Sequence, residues 1–145
     1  MNSLTDQLIA AYQDEQRLYL HIRELVAEQA RIMDAQPDPA AVLALCNQVE
    51  GLMRDVAVIE RAIEPAKVAW SETRHDPDGA LDRTLAAIQT LIEETAADQE
   101  RVQERLMALV RRQRETARNA RASVNANRAR TAYGSAPVEA ETAAS

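Results

Sequence analysis

The chain has no phenylalanine and only three glycines, and aromatic residues make up 3% of its 145 positions. A β-sandwich or an α/β sheet draws on aromatic and β-branched strands and on glycine-bearing turns, and both are poorly supplied here. A single cysteine, Cys46, excludes an intramolecular disulfide. It falls on the buried flank of an apolar helix face and reads as a small apolar filler. No apolar run approaches the roughly 18–20 residues that a membrane-spanning helix needs, so no membrane insertion is expected. The opening MNSLTDQLIAAYQDEQ lacks the basic stretch of a signal peptide and turns acidic early, which points to a reducing, cytoplasmic location.

Catalytic signatures are missing as well. His21 and His75 stand alone, without an HExxH pattern or paired cysteines. Neither a glycine-rich phosphate loop nor a nucleophile elbow occurs. His75-Asp76 reads as a polar loop pair, and acidic pairs such as Glu93-Glu94 read as a solvated helix face. The expectation is a protein that is not an enzyme and that needs no metal or cofactor.

What the chain does have is helix-forming residues in heptad order. Val42, Leu45, Val49, Leu52, Val56, Ile59, Ile63, Ala66 and Trp70 recur every third or fourth residue, with no charge among them. An average spacing of about 3.5 puts them on one helical seam that needs partner helices lying nearly parallel to it. Before it, Tyr12, Tyr19, Val26 and Met33 form one heptad column, and Leu4, Ala11, Leu18, Leu25 and Ile32 form the next. Two columns make a wide face that touches two neighbours. Glu15 and Gln29 interrupt it, either setting register or, the reading preferred here, lying at its edge. Ser3 or Thr5 can cap this first helix.

Two breaks divide the pattern. At the first, Asp38 is a good N-cap and Pro39 suits the first helical position, so a short link turns the chain into an antiparallel hairpin. Pro65 lies inside the second helix, off the seam, and either kinks or ends it. The second break is His75-Asp76-Pro77-Asp78-Gly79. Beyond it Leu81, Leu85, Ile88, Ile92, Val102, Leu106 and Leu109 continue the alternation, with Thr95 and Gln99 as polar members. The fold expected is all-α: an elongated, coiled-coil-like antiparallel three-helix bundle with a long C-terminal helix.

Charge is split along the chain. Residues 1–110 hold 10 basic and 20 acidic side chains, a net −10. Residues 111–130 hold seven arginines against Glu115 alone, a net +6, and Glu139 and Glu141 follow. A body over 1–110, a basic helical arm over 111–134 and a disordered tail over 135–145 are therefore expected. In the arm the apolar stripe thins to Ala117, Ala120 and Val124. Its arginines are not read as one helical face. A partner with an acidic amphipathic helix suits the arm better than nucleic acid, which a body at −10 would repel.

The stretch LIAAYQDEQRLYLHIRELVAEQARIMDAQPDPAAVLALCNQVEGLMRDVAVIERA, with Tyr19, Leu25, Leu45, Leu52 and Ile59, resembles the FlgN-type flagellar export chaperones. So does RNARASVNANRARTAYG, with Asn119, Val124, Asn125, Tyr133 and Gly134. The resemblance implies a cytoplasmic chaperone that holds hook–filament junction proteins by their C-terminal helices and delivers them to the type III export gate. It places client contacts at Arg114, Ala117, Arg118, Ala120, Arg121, Val124 and Asn125, and gate contact at Tyr133. Family members usually carry more leucine in that segment than this chain does. Without the resemblance, the residues also fit a coiled-coil adaptor or scaffold subunit, or a nucleic-acid-binding protein acting through 111–130.

Overall fold

The computed structural model describes residues 3–134, the side chain of Tyr133 excepted. Three helices account for nearly all of it: α1 (Leu4–Ala35), α2 (Pro39–Thr73) and α3 (Ala80–Ala129), followed by a π-helical turn, Arg130–Gly134. No strand occurs among the described residues. The tail expected from residue 135 onward lies outside the described residues. Packing divides the chain into two units, Met1–Arg105 and Leu106–Ser145.

The first unit is an all-α three-helix bundle. Ser3 caps α1, its hydroxyl accepting the Asp6 amide at 3.1 Å, and Thr5 is left free to face inward. Asp38 caps α2 through the Ala41 amide at 3.2 Å, with Pro39 in the first turn where its missing N–H costs nothing. Helix α2 runs through Pro65 to Thr73, so the proline does not end it. Arg74 then takes a left-handed conformation and Gly79 a φ of 66°, which closes the loop before α3. Asp76 does the capping there: its carboxylate accepts the Leu81 and Asp82 amides at 3.2 and 3.1 Å.

Helices α1 and α2 form the antiparallel hairpin that the short link dictates. Gln29 meets the start of α2 and Thr5 meets Trp70 near its end. Helix α3 returns beside α1 in the same direction, with Leu81 packed in one cluster with Leu8 and Tyr12, and Arg105 paired with Asp34. All nine seam residues of α2 are covered, and Val42, Val49 and Val56, one heptad apart, are its deepest. In α1 the column through Tyr12, Val26 and Met33 is buried, and the one through Leu4, Leu18 and Leu25 is half-buried, which gives the wide face expected.

Two seam assignments are corrected. In α3 Leu91, not expected on the seam, is buried beside Ile92, which is half-buried against the same core, and Leu85 is 38% exposed. Glu15 and Gln29 are not edge residues: they are 2% and 3% exposed, in the middle of the α1 face. Between Thr5 and Met33 the buried positions step mostly by three and four, and the polar residues occupy three of those places.

Candidate functional site

Every residue over 111–132 is exposed, in contrast with the covered seams of the first unit. Ala and Arg keep this stretch helical, but its apolar side chains are too small to bury much area. Arg114, Ala117, Arg118, Ala120, Arg121, Val124 and Asn125 all lie on α3 here, and Val124 is 49% exposed. Four of them, Ala120, Arg121, Val124 and Asn125, line one shallow groove together with Arg128. Tyr133 belongs to the closing π-helical turn by its backbone, and its side chain, the expected gate contact, lies outside the described residues.

The arginines are more ordered than the sequence reading allowed. Arg111, Arg114, Arg118, Arg121 and Arg128 are spaced 3, 4, 3 and 7 apart, with Asn125 in the remaining heptad place. At about 100° per residue this confines all five to an arc of roughly 100° on the helix. Arg112 and Arg130 fall on the other side. The seven thus do not fall on one face, as expected, but five of them form a row. The doublet Arg111-Arg112 obscured it, because adjacent residues point in different directions. Among the described residues none of the seven arginines has an ion-pair partner.

The first unit contains a second polar assembly, and the sequence reading missed it. Glu15 on α1 faces Glu60 and Lys67 on α2, beside Tyr12 and Tyr19. Lys67 Nζ donates to Glu60 Oε2 at 3.0 Å and lies 3.7 Å from Glu64. Burial pushes the Glu15 carboxyl up to about 8, helped by its hydrogen bond with Glu60 and the charge there, against the pull of Lys67. Burial also acts to raise Glu60, but hydrogen bonds from Glu15 and Lys67 outweigh it and hold that carboxyl below its ordinary value. Glu15 thus keeps a proton that it shares with an ionised Glu60. Its Oε1 has no hydrogen-bond partner, and neither has the buried Thr95 hydroxyl on α3. Burial raises both tyrosine hydroxyls as well, Tyr12 and Tyr19.

Two further contacts pin the hairpin. The Gln29 amide nitrogen donates to the Val42 carbonyl and to Cys46 Sγ, each at 3.1 Å, so Cys46 is a half-buried acceptor rather than a purely apolar filler. Trp70 Nε1 donates to Thr5 Oγ1 at 3.1 Å and to the His75 carbonyl at 3.3 Å, and Thr5 donates to that same carbonyl. His75 enters the structure through its backbone, as a loop residue.

No group of His, Cys, Asp and Glu among the described residues could hold a metal ion, and no helix is long and apolar enough to cross a membrane. The buried Glu15 carboxyl faces the half-buried Glu60 and Lys67 and two tyrosines. That arrangement fixes helices against one another, whereas the row of arginines faces solvent and is the candidate binding surface. No family model, no curated protein and no solved structure matches the chain.

Proposed function

We propose that this chain is a non-enzymatic helix-binding carrier of the kind found among the FlgN-type flagellar export chaperones. In this reading it works in the cytoplasm, holds the C-terminal helices of hook–filament junction proteins, and presents them to the export gate. One observation carries the proposal. The last part of α3 is a helical stretch whose residues 111–132 are all exposed, with small side chains at the positions where the seam would continue.

A helix with so little apolar surface of its own gains by packing against another helix. So small an apolar seam keeps the contact modest and capture reversible, as a carrier that must release its cargo requires. The client contacts then fall at Arg114, Ala117, Arg118, Ala120, Arg121, Val124 and Asn125, with Tyr133 reserved for the gate.

The test is affinity capture from the native cell, comparing the full chain with its Ala120→Asp/Val124→Asp variant. Both substitutions are on exposed positions, so the bundle is undisturbed. Recovery of flagellar junction proteins by the unaltered chain, lost in the variant, is the expected result. Equal recovery of unrelated proteins by both would leave an adaptor that binds through its bundle.

A further inference from the structure

The arginine row carries more than a general preference for acidic partners. Taking the helix capture proposed above as its basis, we infer that the row selects a helix of matching register. The partner's carboxylates recur every third or fourth residue along one flank of a seam of large apolar side chains.

The geometry sets both halves of that description. Arg111 to Arg128 spans about 26 Å at ~1.5 Å per residue, so the row runs for nearly five helical turns. Ala117, Ala120 and Val124 form a narrow seam at the same 3-4 spacing, bordered by Arg114, Arg121 and Arg128, with Arg111 and Arg118 one place further out. Small residues on one helix call for large ones on the other if the facing positions are to fill space. Charges flanking such a seam stand where the e and g residues of a coiled coil stand, and those positions set partner choice and orientation.

The row is also unfavourable when alone. Arg111, Arg114, Arg118 and Arg121 place like charges three or four residues apart, which weakens a free helix. Glu115, the only acid in the stretch, is not paired with any of them among the described residues. Carboxylates on a partner helix relieve this repulsion and satisfy the guanidinium forks, which bind carboxylates through two parallel hydrogen bonds. A duplex would meet the charge but leave the apolar seam unused, and the net −10 of residues 1–110 opposes a polyanion.

The probe is a labelled peptide of about four heptads with Leu at the seam, Glu along one flank and Gln along the other, whose own like charges oppose self-pairing. Its counterpart carries Gln for every Glu, and a mixed-sequence DNA duplex of about 20 base pairs is titrated at the same salt. The full chain is compared with two doubly substituted versions of equal charge. Arg114→Gln/Arg121→Gln cuts the row, and Arg112→Gln/Arg130→Gln removes arginines off it.

Cutting the row is expected to weaken the glutamate peptide about tenfold, against about twofold or less for the off-row pair. The glutamine peptide should bind more weakly and show no difference between the two. Four results would overturn the inference: no binding of the glutamate peptide, equal binding of the glutamine peptide, equal losses in both doubles, or tighter binding of the duplex. None of these decides whether native junction proteins are captured, which the affinity experiment reads separately.

Discussion

In the bundle and in the last part of α3, arginine serves opposite ends. Within residues 3–105 five of the nine arginines, Arg17, Arg23, Arg31, Arg101 and Arg105, sit within ion-pair distance of a carboxylate, and the lone lysine has two. Over 111–130 seven arginines face solvent with no acidic partner among the described residues. The helical periodicity is the same in both. What differs is the size of the seam residues, Leu, Ile and Val in one and mainly Ala in the other. Periodicity decides which face a helix can offer, and side-chain volume decides whether its own chain accepts it.

The sharpest way to break this comparison is to truncate one seam residue in each region. Leu8→Ala removes a side chain that is 2% exposed and should lower unfolding stability by about 2–5 kcal/mol, read from the denaturant midpoint. Val124→Ala should change it by less than about 0.5 kcal/mol. Comparable losses would mean that the last part of α3 is packed as tightly as the bundle.

A smaller effect of opposite sign is expected at Glu15. Its folded carboxyl titrates near 8 against an ordinary 4.5, so between those values the native state holds a proton that the unfolded chain has lost. Stability from this group is fully present below pH 4.5 and falls as pH rises towards 8. Glu60, held low, contributes the reverse: its share is lost as pH drops below the ordinary carboxylate range. Glu15→Gln keeps a donor towards Glu60 and should stabilise the protein by about 2 kcal/mol at neutral pH, flattening the fall between pH 4.5 and 8. An unchanged pH profile of the melting temperature would show that Glu15 ionises freely.

The smallest effect belongs to Thr95. Replacing its unpartnered hydroxyl with a methyl group in Thr95→Val should raise stability by about 1 kcal/mol. A loss instead would reveal that the hydroxyl has a partner, such as a bound water.

Much of the bundle was legible in the residues. The α2 seam, the Asp38-Pro39 start and the Asp76–Gly79 break follow from spacing and capping chemistry that act locally. Glu15 and Gln29 were misread because burial of a polar residue depends on what faces it, and Glu60, Lys67 and the Val42 carbonyl come from another helix. Leu91 and Ile92 are adjacent apolar residues, so only the lie of α3 against α1 chooses between them. The arginine row was legible by counting in threes and fours, yet the neighbouring Arg112 and Arg130 blurred it. The likeness to the export chaperones rests on pattern alone.

Lys67 is the only lysine in the chain, and both carboxylates it pairs with, Glu60 and Glu64, lie on α2 with it. Its hydrogen bond to Glu60 raises its affinity for a proton and so suppresses its nucleophilicity. Apart from the α-amine, the molecule thus offers amine-reactive chemistry a single target, and a guarded one. With its side chain 38% exposed, that amine is open to acylation while the hairpin stays closed, and the modification would cancel the positive charge that steadies Glu60.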